Sequence, residues 1–543
     1  MSLAVAAALA AAELLLRLFG LPAPAPPIFS GRELTAHGAE ADPELFWVLR
    51  RDVANGTVNR FQLGGYDPAP VKGARDLRVL CLGESVVSGL RVGFDRSFGM
   101  LLERRLQAAL PNARVETVLG GLAGWSVVQV RRLLETRLRD FAPDVTIVHV
   151  GAWNDQFPAG RCPDVELGAL APPSRCRCWQ LLRRLGWWFG PPAAEVRDPA
   201  SAPYGRRVPL EQFRDELERL VTVARAAGGS VVFVLPALRP DSRGANPVSA
   251  DYRRVQQEVA AVHAVPLVDA VALCDRHEQS WGGVRQHSGL DLYADALHLG
   301  LAGHELLAQA LYAAIAAAPP PRWAALAAVT TATDLPVVRA VAPAAVPAIA
   351  GGSVLVAGDF DGRCAVDRVW IGDRMAPSCA REGAGLRVVL PLILVPGGQR
   401  LELVTGSGAV LCPSPLQVLA PALQVDASGR GDEVEVVLQA ALPPRCEVVV
   451  LASRFLLPEP LATALGPLYL AEDQRRPVCT PPLFGALRLA QMTFFSGDGG
   501  SWRAAVLLPR GTVPGRTFLQ LMLVAPSGDL GMLSAPSTVL RPL

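Results

Sequence analysis

The sequence predicts an α/β fold, in which a mostly parallel β-sheet lies between two layers of helices, followed by one or two all-β sandwich modules. Between residues 78 and 317, short apolar runs alternate with longer amphipathic segments. This alternation is typical of a parallel sheet covered by helices on both faces. After Ala317 helical patterns become rare, and short strand-like runs lie between turn signals. The 543 residues exceed what one hydrophobic core usually organises, so we expect several domains.

The elements of the α/β part follow one another in a regular order. Strands buried on both faces of a parallel sheet are continuous apolar runs, whereas covering helices repeat their apolar residues every three to four positions. We therefore predict strands at 78–83, 113–119, 144–150, 230–236 and 265–270, and helices at about 97–109, 124–138, 209–227, 250–262 and 299–317.

The region after residue 335 has the spacing of a β-sandwich. Residues 351–360, 369–372 and 395–398 form short strand-like runs next to glycine and proline turn signals. A second all-β segment begins at Pro421. We expect each of these modules to bury its own core.

One apolar run in the α/β part stops abruptly at Gly83-Glu84-Ser85. A run of this kind predicts a buried strand that delivers Ser85 to the following turn. A serine at such a position can act as a nucleophile. Serine is also a preferred N-cap residue, and for an isolated Gly-x-Ser the capping of the next helix is the simpler explanation.

Four other residues make Ser85 a candidate nucleophile. Gly124 and Asn154 each follow a strand-like run, and Asp295 and His298 precede the last predicted helix. Taken singly, they are explained as turn formers, helix caps or surface residues. Taken together, they supply what ester cleavage requires: a hydroxyl, a base with its carboxylate, and donors for the developing oxyanion. Ligands bind at the carboxyl ends of strands in such sheets, so we expect one shared site.

In these blocks the chain resembles the SGNH or GDSL-type serine hydrolases. The resemblance implies a flavodoxin-like αβα core, in which three layers place the sheet between two layers of helices. It implies that Ser85 is the nucleophile and that Asp295 and His298 complete a catalytic triad. It also implies an oxyanion hole formed by the N–H groups of Ser85 and Gly124 and by the side chain of Asn154.

The resemblance covers roughly residues 59–317, and one position departs from the family pattern. Glu84 stands where the family has aspartate, which keeps the charge and adds one methylene. A second resemblance, to an IPT/TIG immunoglobulin-like domain, covers residues 336–420. We therefore divide the chain into an N-terminal membrane helix or signal-like segment with a spacer at 1–30, an SGNH hydrolase domain at 31–318, an IPT/TIG-like β-sandwich at 336–420 and a second β-sandwich-like module at 421–543.

The net charge of the chain limits the classes of partner that it can bind. A formal net charge of +2 without a basic block argues against nucleic acid. No motif indicates a cofactor, and we expect none.

The ten cysteines are consistent with an oxidising compartment. Cys81 is expected to be a buried thiol, and zinc is disfavoured because Cys176 and Cys178 lack a second Cys/His pair at a usual separation. Local disulfides are reasonable within three groups: Cys162 with Cys176 and Cys178, Cys364 with Cys379, and Cys446 with Cys479.

The first residues are mostly alanine and leucine. Residues 2–19 have about the length of a bilayer-spanning helix and carry Glu13 and Arg17, which are spaced to pair. We expect a membrane helix followed by a proline-rich spacer at 21–29, with an ordinary soluble helix as the alternative. The Ala23-Pro-Ala25 site is followed by Pro26, which disfavours removal of this segment as a signal peptide. The expected location is outside the cytoplasm, either membrane-anchored or secreted.

An insertion at residues 156–208 carries Trp179, Trp187 and Trp188. These side chains either contact sugar rings or acyl chains of a substrate or pack against the sheet.

The function predicted for the whole chain is a serine hydrolase that cleaves carboxylic esters on glycans or lipids. The β modules would serve attachment or carbohydrate contact. An O-acyltransferase that passes the acyl group to a sugar hydroxyl is one alternative. A catalytically silent surface binding or adhesion protein is the other.

Overall fold

The computed structural model describes most of the α/β part and of the first β module. The described residues are 3–19, 38–156 without 43 and 52–57, 178, 206–240, 249–280, 292–329 without 296, 335–419 without 348–351, 361–364 and 392–393, and the strands between 423 and 540.

Among the described residues, the α/β part contains seven strands and seven α-helices. One further α-helix lies at the amino terminus. The strands are β1 (Ala39–Asp42), β2 (Phe46–Leu49), β3 (Asp76–Gly83), β4 (Arg114–Gly121), β5 (Val145–His149), β6 (Ser230–Leu235) and β7 (Leu267–Asp269). The helices are α1 (Leu3–Leu18), α2 (Phe98–Ala109), α3 (Val127–Thr136), α4 (Leu210–Ala226), α5 (Ser249–Val262), α6 (Ala270–Ser280), α7 (Leu301–Ala317) and α8 (Pro321–Ala327).

The central sheet has five parallel strands in the order β4-β3-β5-β6-β7. The chain leaves β3 for β4 on one side and then crosses to β5 on the other, so the strand order reverses at β3. Such a switch point opens a crevice at the carboxyl ends of the strands, where ligands bind in open α/β sheets. The predicted αβα fold is confirmed, and the five predicted strands all lie in this sheet.

Strand β3 shows why the sheet needs a helical layer on each face. Its eight residues are all buried. Leu80 and Leu82 pack with α3, α4 and α5, while Leu77 and Cys81 pack with α2 and α7. The period of two along a strand directs alternate side chains into the two layers. The prediction of a buried thiol at Cys81 is confirmed.

The hairpin β1–β2 and the helices α6 and α8 were absent from the sequence prediction. The hairpin β1–β2 lies in the lead-in and packs Phe46 and Trp47 into the core beside α3. Helix α8 begins at Pro321, inside the proline segment that marks the change in composition. Proline is compatible with the first turn of a helix because that N–H has no intrahelical acceptor, so the segment starts a helix instead of only ending one.

The C-terminal region consists of antiparallel sheets, apart from the parallel pair β9 and β18. The strands up to residue 419 are β8 (Val337–Ala342), β9 (Ala345–Pro347), β10 (Ser353–Asp359), β11 (Val366–Ile371), β12 (Arg374–Met375), β13 (Ser378–Glu382), β14 (Gly385–Val389), β15 (Gly397–Gln399), β16 (Leu401–Thr405), β17 (Gly408–Leu411) and β18 (Leu416–Leu419). The later strands are β19 (Leu423–Arg430), β20 (Glu433–Ala441), β21 (Glu447–Ser453), β22 (Leu456–Thr463), β23 (Gly466–Leu470), β24 (Leu487–Phe495), β25 (Ser501–Pro509), β26 (Arg516–Val524), β27 (Leu530–Leu533) and β28 (Ser537–Leu540).

The first β module shares a core with the α/β part. Trp370, Met375 and Val404 belong to the same buried cluster as α2 and α7. Arg368, on β11, forms a buried ion pair with Glu103 of α2 at 3.1 Å and donates to the carbonyl of Val115. This differs from the expectation that each module buries its own core, because the apolar face of β11 and β12 is completed by side chains of the sheet and α2.

A second contact joins β12 to the chain that follows the Ser85 turn. A short 3₁₀ helix at Phe94–Arg96 pairs Asp95 with Arg374 at 2.6 Å and Arg96 with Asp373 at 2.9 Å. The two pairs have opposite polarity, so each domain supplies one cation and one anion. This arrangement fixes the module against the α/β part at residues ten and eleven positions after Ser85.

Helix α1 carries the predicted pair of Arg17 and Glu13, with Nε and Oε1 2.7 Å apart. Within the described part of the chain, no single helix combines the length and apolar character needed to cross a membrane. One pair bent by 91°, α7 with α8, meets both criteria only when taken together. The cysteine pairing proposed for Cys379 is not present, since this residue is a free thiol.

Several predicted features lie outside the described residues. They are the spacer at 21–29, Trp179, Trp187 and Trp188 of the insertion, and Cys162, Cys176, Cys364, Cys446 and Cys479.

Candidate active site

Ser85 lies in the turn after β3, and its hydroxyl faces a histidine from the other end of the α/β part. The Oγ atom of Ser85 is 2.8 Å from Nε2 of His298. The turn is closed by the N–H groups of Val87 and Leu90, which donate to Glu84 and Ser85. Ser85 does not cap a helix: the next α-helix begins at Phe98 and is capped by Ser97. The geometry therefore disfavours the capping alternative.

The end of β3 allows this turn only because residue 83 is glycine. A Cβ atom at Gly83 would overlap the carbonyl oxygen of His149 on β5 and a methyl group of Val87. The strands therefore approach closely at the point where the chain turns, which directs Ser85 out of the sheet at its carboxyl edge. Only a residue without a Cβ atom fits where two segments of chain approach this closely.

Asp295 and His298 lie in a tight loop before α7. The ring Nδ1 of His298 is 2.8 Å from both carboxylate oxygens of Asp295. A carboxylate can only accept, so Nδ1 carries the proton and Nε2 is left as an acceptor for the Ser85 hydroxyl. The backbone closes the loop, because the N–H of Ala294 donates to the carbonyl of His298.

The environment of Asp295 keeps it ionised. Partial burial opposes its charge, but hydrogen bonds from the His298 ring and from the N–H groups of Leu297 and His298 outweigh it and hold the pKa of this carboxyl well below its usual range. Arg91 also reaches Oδ2 of Asp295, with its Nε at 3.2 Å. Arg91 has a φ of 82°, a left-handed conformation that costs energy for a residue with a side chain. The structure thus brings together Ser85, His298 and Asp295 in one relay.

The two predicted backbone donors lie on neighbouring strand ends. Ser85 follows β3, and Gly124 follows β4 with a φ of 79°. Within the residues that the structure describes, neither the Ser85 N–H nor the Gly124 N–H has a hydrogen-bond acceptor. Unpaired backbone donors are uncommon, and two of them at one sheet edge are suited to bind a developing negative charge.

Asn154, the third predicted donor, follows β5 and is held by Glu84. Its Nδ2 donates to Oε2 of Glu84 at 2.8 Å. The other oxygen of Glu84 accepts from the N–H groups of Gly151 and Ala152, at 3.0 and 3.3 Å. An amide nitrogen has two hydrogens, so Asn154 keeps one for a ligand. The glutamate that departs from the family pattern therefore fastens the Asn154 loop to the Ser85 turn.

Glu84 is buried, and this affects its ionisation. Burial, together with the nearby carboxylate of Asp155, raises the pKa of Glu84 to about 8. The N–H donors of Ala152 and Gly151 and the positive charge of Arg207 act in the opposite direction. Asp155 supports the same corner, because its two oxygens accept from the N–H groups of Val127 and Gly151.

Sequence reasoning missed three residues around this site. Arg91 contacts Asp295, Trp47 contacts the Gly124 loop, and Arg207 contacts both the Gly124 and Asn154 loops. None belongs to a motif, and each makes its contact through the tertiary fold. The only local signal is the position of Arg207, at the end of a long insertion and two residues before a predicted helix.

A Ser-His-Asp relay at the carboxyl edge of a parallel sheet defines a class of α/β hydrolytic proteins. The family comparison agrees: residues 81–306 match the model of the GDSL-like lipase/acylhydrolase family, as the resemblance implied.

Several solved structures are similar to less than half of the chain. They include an α/β hydrolase enzyme from the metagenome of Lake Arreo, Spain (18% identity, 44% of this chain and 95% of that chain, TM-score 0.30). The lipase/acylhydrolase from Enterococcus faecalis has the same identity and coverage, with a TM-score of 0.29. An acetylxylan esterase from Geobacillus stearothermophilus is 17% identical over 44% of this chain and 94% of its own, with a TM-score of 0.30. No curated protein matches the sequence.

Proposed function

We propose that this protein cleaves carboxylic esters through an acyl-serine intermediate on Ser85. The observation that carries the proposal is the relay from Ser85 through His298 to Asp295, with hydrogen-bond distances of 2.8 Å at both steps. The Oγ of Ser85 attacks the ester carbonyl while its proton passes to Nε2 of His298. Asp295 holds the neutral tautomer and stabilises the imidazolium that forms.

The tetrahedral intermediate places a negative charge on the former carbonyl oxygen. The N–H groups of Ser85 and Gly124 and the second amide hydrogen of Asn154 bind that oxygen. When the intermediate collapses, His298 returns the proton to the leaving alcohol. A water molecule then attacks the acyl-serine by the same route, with His298 again as the base, and releases the carboxylic acid.

The substrate class proposed is an acyl ester on a glycan or a lipid. The family model matched by residues 81–306 is described as a lipase/acylhydrolase, a class that cleaves acyl esters. Transfer of the acyl group to a sugar hydroxyl uses the same intermediate. Product analysis with and without a sugar acceptor separates the two, since only a transferase forms a new sugar ester.

The test of the mechanism is covalent labelling of purified protein with a fluorophosphonate, together with hydrolysis of p-nitrophenyl acetate. We expect wild-type protein to be labelled and active, and Ser85→Ala to be folded, unlabelled and inactive. The control is Ser230→Ala, at the amino end of β6 and therefore at the opposite edge of the sheet. Near-normal turnover by Ser85→Ala would refute the assignment, and an unlabelled wild type would support a binding protein.

We also infer an extracytoplasmic location with attachment through α1. The side chains of Leu14, Leu15, Leu18 and Phe19 are all more than half exposed. Exposed apolar side chains on one short helix are costly in water and favourable at a lipid surface. Deletion of residues 2–19 should abolish co-sedimentation with phospholipid vesicles and leave esterase activity unchanged. Equal sedimentation of both forms would contradict this inference.

A further inference from the structure

Arg207 is a buried guanidinium behind the two strand-end loops that carry Gly124 and Asn154. Its side chain is about 1% exposed. Nη1 donates to the carbonyl of Gly124 at 2.6 Å and to the carbonyl of Asn154 at 3.3 Å. Nη2 donates to Oε1 of Gln129 at 2.8 Å. One side chain therefore joins loops that leave two different strands, β4 and β5.

The Gly124 loop is held on both sides of its unpaired N–H. Arg207 binds the carbonyl of Gly124, and the indole Nε1 of Trp47 donates to the carbonyl of Ala123 at 3.2 Å. The peptide between Ala123 and Gly124 contains the Gly124 N–H, so Trp47 fixes the plane in which that donor lies. The guanidinium of Arg207 itself lies 5.8 Å from the centre of the Trp47 ring.

The third partner of Arg207 extends this support to helix α3. Gln129 accepts from the N–H of Ser126 through the same oxygen that binds Arg207, and its Nε2 donates to the carbonyl of Leu45. Gln129 thus completes the capping box of α3, whose N-cap residue Ser126 lies two residues after Gly124. The amino end of α3 and the Gly124 loop are fixed to the same cation.

Asn154 is likewise held at two points. Its carbonyl accepts from Arg207, and its side-chain amide donates to Glu84. The following residue, Asp155, accepts at its carbonyl from the N–H of Val208, next to Arg207 in the chain. The side chain and backbone at 207–208 therefore set where the Asn154 loop lies relative to the Gly124 loop.

We propose that Arg207 is a positioning residue of the oxyanion hole, which holds the Gly124 N–H and the Asn154 amide at a fixed separation. This proposal rests on the proposed ester hydrolysis. A guanidinium suits the role because it is planar, always charged and offers several donors in fixed directions, whereas an ammonium is a single point donor. Donors act on the transition state only when they are already oriented before charge develops. The positive charge behind the two loops also favours the oxyanion.

Two substitutions test the proposal. Arg207→Lys keeps the positive charge but loses the planar set of donors in fixed directions. Arg207→Met removes the charge and every donor. We expect kcat for p-nitrophenyl acetate to fall about tenfold in Arg207→Lys and about a hundredfold in Arg207→Met, with KM within about twofold of wild type. Fluorophosphonate titration counts the reactive serines, so that kcat refers to folded enzyme.

Arg78 provides a matched control. It is also about 1% exposed and donates to the carbonyls of Phe141 and Ala69 and to Glu116, but at the start of β3, away from the site. Arg78→Lys should lower the melting temperature and leave kcat unchanged. If Arg207→Lys behaves in the same way, Arg207 is only structural and the proposal is wrong.

A double-mutant cycle with Asn154→Ala adds a second criterion. If Arg207 acts through Asn154, the fold-loss caused by Arg207→Lys should be smaller in the Asn154→Ala background than in wild type. Losses that multiply fully would overturn the proposal, and failure of both Arg207 variants to fold would equally assign Arg207 to stability. An unlabelled and inactive wild type would instead refute the ester hydrolysis itself.

Discussion

At the residue scale, the departure from the family pattern has a structural role. Glu84 binds Asn154 and the N–H groups of Gly151 and Ala152 at once, with distances between 2.8 and 3.3 Å. The extra methylene gives the carboxylate the reach to bridge the Ser85 turn and the loop after β5. The residue next to the candidate nucleophile therefore orients a donor on another strand.

We predict that Glu84→Asp lowers kcat about tenfold, because the carboxylate retreats by roughly 1.5 Å and cannot keep both contacts. Glu84→Gln should lower kcat further. The NH₂ group of glutamine is a donor, and it would face another donor, either the Asn154 amide or the two backbone N–H groups. The measurement is kcat for p-nitrophenyl acetate. Glu135→Gln, at an ion pair on the outer side of α3, serves as the control. Wild-type turnover in Glu84→Asp would refute the bridging role.

For the relay, we predict that Asp295→Asn lowers kcat/KM by about 10² to 10⁴-fold. The asparagine amide would donate to Nδ1 of His298, which forces the proton onto Nε2 and removes the acceptor for Ser85. The lower bound allows for other groups that support the ring. The comparison with wild type is made at pH 8.

His298→Ala should be worse, because no neighbouring histidine replaces the base. His304 is buried, and its Nδ1 already accepts from the N–H of Phe98 at 3.0 Å. An active His298→Ala enzyme, or one that requires His304, would overturn the assignment.

At the element scale, β5 and α7 contribute two buried histidines that face Phe98 of α2. The rings of His149 and His304 each lie 6.0 Å from the Phe98 ring. Burial lowers the pKa of His149 to about 4 and that of His304 to about 3. Repulsion from nearby histidines, including His298, contributes to both shifts. Protonating either ring would place a charge inside the layer between the sheet and its helices.

This packing predicts a loss of stability in acid. In the unfolded chain these histidines bind protons near pH 6.5, whereas in the folded protein they do so only near pH 3 to 4. Unfolding therefore takes up protons in this window, and the free energy of unfolding falls as the pH drops from about 6.5 to about 4.

The test is urea unfolding of wild type and His304→Gln at several pH values between 4.5 and 7.5, where glutamine can still accept from the Phe98 N–H. Unfolding of the variant should take up about one proton fewer. The slope of its free energy of unfolding against pH should therefore be smaller by roughly 1.4 kcal/mol per pH unit. An unchanged slope would contradict the account.

At the scale of the whole molecule, the first β module completes the α/β part. Arg368 reaches Glu103 of α2 and stacks over the Tyr66 ring with its guanidinium 4.3 Å from the ring centre. Trp370 on the same strand belongs to the core of the α/β part. Removing one partner of a buried ion pair leaves the other uncompensated, which costs far more than losing a surface pair.

We therefore predict that Arg368→Met lowers the free energy of unfolding by about 3 kcal/mol or more and destabilises the α/β part with the module. The control is Arg339→Met, which removes the exposed pair with Asp359 and should cost less than about 1 kcal/mol. The measurement is the melting temperature of esterase activity alongside that of global structure. Equal effects of the two substitutions would show that the module is energetically independent.

The sequence by itself determined the five strands of the central sheet, most of the helices that cover it and the motif residues. Strands such as β3 were predictable because a parallel strand buried on both faces must be a continuous apolar run, and the helices because their apolar residues recur at helical spacing. Ser85, Asp295 and His298 were nominated from short blocks, since each lies beside the end of a local element. Asp295 and His298 are three residues apart, so their contact is almost a local property.

Only the tertiary structure decided which distant residues support the site. Arg207 is one of 52 lysines and arginines, and its partners Gly124 and Gln129 are 83 and 78 residues away. Trp47 and the shared core of Trp370 likewise depend on which elements the topology brings into contact. A local pattern records which face of an element is apolar but not which element covers it. Burial and charge pairing are therefore set by the assembled fold.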